Sequence, residues 1–171
     1  MREFYAVLSR TYTRARVFLA GPTLFEAAFE VLYPRGMARF LIVRFKGTPV
    51  AVSAELLFKK TIFGWYGGLD RSYSKYNANE FLTWHILDWG RARGYKVYDF
   101  GGAGNPEEEY GVRDFKAKFK GELVGYGRNI CVHNPGLLRL SRAGYRIYQF
   151  FLPLKNIGRM CSFRSRSDTL A

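Results

Sequence analysis

Three apolar runs follow one another almost without interruption in the first half of the chain. Residues 37–45, 49–58 and 61–66 are rich in β-branched and aromatic side chains, and only Lys46-Gly47-Thr48 and Lys59-Lys60 part them. Connectors this short allow only antiparallel neighbours, because a parallel pair needs a crossover of about a dozen residues or more. The chain is therefore expected to build a three-stranded meander. Residues 79–94 then place Phe81, Leu82, His85, Ile86 and Trp89 on one face of a helix that stops at Gly94, and a short strand is expected over 96–100. A helix between two strands is a crossover and makes those strands parallel neighbours. A further strand is expected over 122–132, so the sheet reads as mixed. Before the meander, residues 2–11 read as a helix, with Phe4, Tyr5, Leu8 and the following Tyr12 at helical spacing, and Pro22 opens LFEAAFEVL as a second amphipathic helix.

Length and composition fit one domain of ordinary size: 171 residues, 48% of them hydrophobic, are enough to bury a core without staples. Cys131 and Cys161 lie far apart in a chain that opens without a secretory pattern, which points to a reducing cytosol and a cytoplasmic protein. No apolar run reaches the roughly 20 residues of a bilayer span. The formal charge is +13, from 27 Lys+Arg against 14 Asp+Glu. Such a balance attracts polyanions such as RNA, anionic headgroups or phosphorylated carriers, and is equally the mark of a solvated basic surface.

Chemistry concentrates in residues 98–121, YDFGGAGNPEEEYGVRDFKAKFKG. Gly101, Gly102 and Gly104 cluster where a strand runs out, a place that needs unrestricted backbone angles or close approach to a ligand. Phe115, Lys116, Phe119 and Lys120 repeat apolar and cationic residues four apart, which on a helix stacks the rings and gathers the ammonium groups. Gly64, Gly67 and Gly68 flank Trp65 and Tyr66 at the end of the central strand, where free backbone N–H groups can serve a developing oxyanion. Asp99 reads either as a base that takes a proton from an attacking amine or as a structural carboxylate capping the glycine loop. Arg71, Tyr73 and Lys75 read as lining for a donor channel or as a solvated loop. His85, on the apolar face, reads as a buried histidine rather than a catalytic one. No triad of nucleophilic catalysis and no metal spacing is discernible.

Five ordered segments carry a resemblance that covers residues 3–132: FYAVLSRTYTRAR with the following Pro22-Thr-Leu-Phe, RFLIVRFKGTPVAVSAELLF, GWYGGLDRSYSKYNANEFLTWHILDWGRARGY, YDFGG, and GVRDFKAKFKGELVGY. In these the chain resembles the second GNAT-like domain of the FemABX peptidyltransferases. The resemblance implies an α+β (α/β) fold, a mixed central sheet flanked by helices as in the acyl-CoA N-acyltransferases, over residues 1–133. It implies transfer of an amino acid from aminoacyl-tRNA to a lipid-linked peptidoglycan precursor, with no cofactor. It gives Lys116 and Phe115 the 3′ end of the tRNA, and leaves Lys120 at a position where the family more often has glycine. Acyl-CoA or acyl-carrier-protein transfer is the alternative, and a non-catalytic RNA-binding module a third. Residues 69–79, LDRSYSKYNAN, hold no glycine where CoA enzymes carry a pyrophosphate loop. FemABX proteins bear two such domains, with the acceptor site largely in the first; the chain is thus a fragment, a shortened relative, or a partner to a missing first domain.

Residues 134–171 form the second expected region. Asn134-Pro135-Gly136 reads as a turn, and residues 137–152 as a helix with Arg139, Arg142 and Arg146 on one side and Leu137, Leu140, Ile147, Tyr148 and Phe151 roughly opposite. The basic, serine-containing stretch from Pro153 reads as a mobile tail. Peripheral attachment to the inner face of the membrane is expected of such a helix.

Overall fold

The computed structural model describes residues 1–104, 107, 109–125, 127 and 130–148. Its elements run α1 (Arg2–Ala15), α2 (Pro22–Val31), β1 (Ala38–Phe45), β2 (Thr48–Phe58), β3 (Thr61–Leu69), a 3₁₀ helix η1 (Arg71–Tyr76), α3 (Ala78–Ala92), β4 (Val97–Asp99) and α4 (Gly111–Ala117). A last helix, α5, covers 135–148. The chain forms two compact units. One comprises residues 1–11 and 20–126; the other comprises 12–19 and the described part of 127–171.

In the first unit the sheet order is β1-β2-β3-β4, with the first two pairings antiparallel and β3–β4 parallel. The meander and its crossover through α3 are thus as the short connectors require. Both faces of the sheet are covered. On one, Phe4, Val7 and Leu8 of α1 and Phe25 of α2 are buried, and Phe4 meets Phe40 edge-on at 5.4 Å. On the other, Leu82 and Ile86 of α3 pack with Val50, Ala51, Leu57 and Ile62. Burying residues of this size from both sides, each worth about 1.5–3 kcal/mol, is what fixes the sheet between its helices.

Three expectations are corrected. The strand at 122–132 is absent among its described residues, which carry no regular structure. Gly125 and Gly127 break the run, and Gly127 sits at φ 72°, outside the strand region. Phe81 and His85 do not face the core; both are exposed, with their rings 6.5 Å apart, because the buried stripe of α3 runs through Leu82, Thr83, Ile86 and Gly90. Lys120 does not continue the helix of Lys116: α4 ends at Ala117, and Lys120 adopts φ 55°. The Phe115 and Phe119 rings still meet, at 5.4 Å.

In the second unit Asn134 is more than a turn residue. Its Oδ1 accepts the Leu137 N–H at 3.0 Å, and Pro135 takes the first helical position, so Asn-Pro is the N-cap of α5. The last four residues of the expected helix and the expected tail lie outside the described residues.

Candidate active site where β3 and β4 part

Parallel pairing of β3 with β4 covers Thr61↔Val97, Ile62↔Tyr98 and Phe63↔Asp99, and then stops, while β3 continues to Leu69. A bulge at Trp65 accompanies the parting: Ala54 pairs with Tyr66 but Glu55 pairs with Gly64. Two consecutive rings, Trp65 and Tyr66, consequently both reach Phe25. Farther along, Asp70 N–H donates to Val50 O at 2.8 Å. Antiparallel bonding alternates, so Val52/Gly68 is the next bonded pair and the peptide groups of Gly67 turn to the edge that β4 has left. Gly67 is exposed there, which makes its N–H available to a carbonyl oxygen. Gly68 has a different task. A Cβ on it would lie 3.2 Å from Leu8 Cδ2 and 3.1 Å from Thr11 Oγ1, so its hydrogen is what lets α1 lie against β3.

The loop after β4 is tied down by its own residues. Asp99 Oδ1 accepts the Gly101 N–H at 2.7 Å, a carboxylate turn that lets the chain leave the sheet with Gly101 at φ 69°. Lys116, reaching back from α4, donates to Gly102 O at 2.6 Å and Gly101 O at 3.3 Å. An ammonium has three N–H donors, so one remains for a ligand. Burial pulls the Lys116 ammonium below the ordinary lysine range, while the Asp99 carboxylate acts in the opposite sense. Phe115 is half-buried, with Lys118 Nζ 5.8 Å over its ring, and the Phe119 ring lies 5.9 Å from Phe100. Lys118 also pairs with Glu80 at 2.9 Å, which fastens the end of α4 to the start of α3.

A second polar cluster lies beneath α3. Glu55 is 1% exposed, accepts a hydrogen bond from the Ser53 hydroxyl, and accepts another from Tyr98 OH at 3.1 Å. Burial pushes its carboxyl up to about 7 even though both hydrogen bonds favour the ionised form. Tyr98 is pushed above the ordinary phenol range by burial and by the nearby Glu55. Gly64 makes this contact possible, since a Cβ there would stand 2.9 Å from Tyr98 OH. Glu55 was not among the residues singled out from sequence. The signal for it was present: Ser53 and Glu55 are polar residues two apart, hence on one face, in the otherwise apolar VAVSAELLF.

The structure thus brings Asp99, Gly101, Gly102 and Lys116 into one cluster with Phe115 beside it. Gly67 and Gly68 lie farther along β3. Arg71, Tyr73 and Lys75 sit on η1, where Arg71 and Lys75 are exposed and Tyr73 packs on Phe45 at 5.9 Å, at the margin of the core. No group of three or more His, Cys, Asp or Glu with metal-binding geometry occurs among the described residues.

Comparison with known proteins bears on the fold and the family. A crystal structure of a point mutant of the BH1408 protein from Bacillus halodurans superposes with a TM-score of 0.57 at 12% identity, covering 75% of this chain and 93% of that one, which is a likeness of fold. Among curated proteins none matches the chain. The model of the acetyltransferase (GNAT) domain family matches residues 1–117, from the first helix to the end of α4, and the chain therefore belongs to the GNAT acetyltransferase-domain family.

Proposed function

We propose that this N-acyltransferase domain moves an aminoacyl group from aminoacyl-tRNA to the amine of a lipid-linked peptidoglycan precursor. The observation that carries the choice of donor is the β3–α3 connection. In place of a glycine loop offering N–H groups to a pyrophosphate, η1 uses them on its own chain: Ser72 N–H donates to Asp70 Oδ1 at 3.1 Å and Tyr73 N–H to Asp70 O at 3.0 Å. Asn77 then enters α3 from φ 52°, with its N–H on Ser74 O. Without glycine, side chains stand between a pyrophosphate and the backbone of this turn, although the first N–H groups of α3 carry no side-chain cap.

The chemistry asked of the site is modest. The acceptor amine attacks the ester carbonyl, a C–N bond forms, the C–O bond to the ribose breaks, and the ribose oxygen leaves as a hydroxyl after taking a proton. The Gly67 N–H faces the carbonyl oxygen as it becomes an oxyanion, and Lys116 offers its remaining N–H to the terminal phosphate or to the ester. Asp99, on the same cluster, receives the proton from the amine. Acyl-CoA as donor is the second reading, favoured by the family to which the domain belongs.

The test compares the two donors at one ionic strength. Aminoacyl-tRNA is expected to raise the unfolding temperature and to lose affinity steeply with salt through counterion release. Stabilisation by micromolar CoA without any effect of tRNA overturns the proposal in favour of the thioester reading.

A further inference from the structure

The second unit carries a surface that acyl transfer does not explain. On α5, Leu137, Leu140, Ile147 and Tyr148 fall on one side, and Arg139, Arg142 and Arg146 on the other. In most helices of a folded domain the apolar side is covered. Here Leu137 is 63% exposed, Leu140 69% and Ile147 59%. Within the same unit Phe18, 60% exposed, has its ring 6.3 Å from Tyr148, and Val17 beside it is exposed as well. The apolar strip of α5 therefore continues onto the segment that follows α1.

Charge selects the occupant. Residues 134–171 hold seven Lys and Arg and a single acid, Asp168. An RNA partner accounts for the arginines but leaves the leucines in water. A protein groove accounts for the leucines but not for a field of one sign. An anionic bilayer surface meets both, because the apolar strip sinks to the acyl boundary while the arginines on the polar face remain among the headgroups. Crossing is excluded for the described part, since none of its helices is long and apolar enough to span a membrane.

We propose that α5, with Val17 and Phe18, is an interfacial anchor that lays this protein on an anionic lipid surface. The anchor does not depend on which donor the domain uses, and its assay contains none.

The experiment is cosedimentation of the full chain with vesicles of phosphatidylglycerol and phosphatidylcholine, and with vesicles of phosphatidylcholine alone. Binding is expected to the first, weaker as salt rises, and at least about tenfold weaker to the second. Leu140→Gln with Ile147→Gln, which changes no charge, is expected to lower anionic-vesicle affinity by about tenfold or more while leaving the unfolding temperature unchanged, because both side chains are exposed. Three results overturn the anchor: no binding of the native chain to anionic vesicles; equal binding of the native chain and the double variant, which is electrostatic adhesion alone; or a dimer of the native chain in solution that the double variant splits, which makes a second copy the occupant.

Discussion

Tyr98 and Asp99 are neighbours in a strand of three residues, yet they belong to opposite kinds of polar cluster. Alternation along β4 sends Tyr98 inward, to the buried carboxyl of Glu55, and leaves Asp99 exposed at the loop where Lys116 is hooked onto two carbonyl oxygens. In the first cluster three side chains satisfy one another away from water. In the second a cation is held by backbone acceptors with one donor to spare. The inner cluster has the makings of a stability element sensitive to protonation, and the outer one those of a ligand site that the fold tolerates losing.

That division is broken most directly at Lys116. Lys116→Met is expected to lower transfer about a thousandfold, the scale of losing one preorganised donor at a developing charge. Its unfolding free energy is expected to stay within about 1 kcal/mol of the native chain. Chemical denaturation and single-turnover transfer, measured on the same preparation, check both halves. A variant that unfolds early while its remaining folded fraction turns over normally makes Lys116 a structural hook only.

Next in size is the pH dependence set by Glu55. Its folded value, about 7, lies above the ordinary 4.5, so the folded state binds the proton more tightly. The contribution is fully present below pH 4.5 and is lost as pH rises through about 7. The difference amounts to roughly 3 kcal/mol. Glu55→Gln is expected to remove that slope from the unfolding free energy between pH 4 and 8. A native chain with no slope in this window, or a glutamine variant with the full one, separates the titration from Glu55.

A smaller effect tests whether Gly64 serves the inner cluster. Gly64→Ala brings a methyl against Tyr98 OH, and overpacking of this kind costs about 1–3 kcal/mol. In a Tyr98→Phe background the alanine is expected to cost measurably less, because the atom it strikes is gone. A double-mutant cycle gives the coupling; additivity within about 0.5 kcal/mol denies the contact. The smallest effect on stability is that of Asp99→Asn, whose amide oxygen still accepts the Gly101 N–H. Stability is expected to change by less than about 1 kcal/mol, while transfer at neutral pH falls if the carboxylate takes the proton of the amine.

The parts of this molecule that were legible in the sequence are those where one residue type has one physical use. Lys46-Gly47-Thr48 and Lys59-Lys60 are too short for anything but hairpins, so the meander followed from them. The glycines after β4 marked a chain leaving its sheet, and Asp99 among them does cap that exit. Periodicity was less exact. It assigned Phe81 and His85 to the buried stripe of α3, although a stripe has an edge, and the sheet below is filled by Leu82 and Ile86 instead. It carried α4 on to Lys120, where the backbone turns left-handed. At Gly68 the close lie of α1 supplies a packing reason for glycine that periodicity does not show. Glu55 escaped notice because a carboxylate amid valines and alanines argues against burial until its two hydroxyl partners are seen in place.

The three-residue β4 also bears on how the sheet closes. With β3 on one side of it and only three pairs of residues in register, hydrogen bonding alone distinguishes weakly between neighbouring alignments. A slip of one residue exchanges the two faces of a strand. It would carry Asp99 toward Glu55 and turn the phenol of Tyr98 to solvent, placing two carboxyls together in a dry site where they cannot both be ionised. The buried acid therefore favours the observed alignment, since a slipped strand would set a second carboxyl beside it in place of a phenol that donates to it.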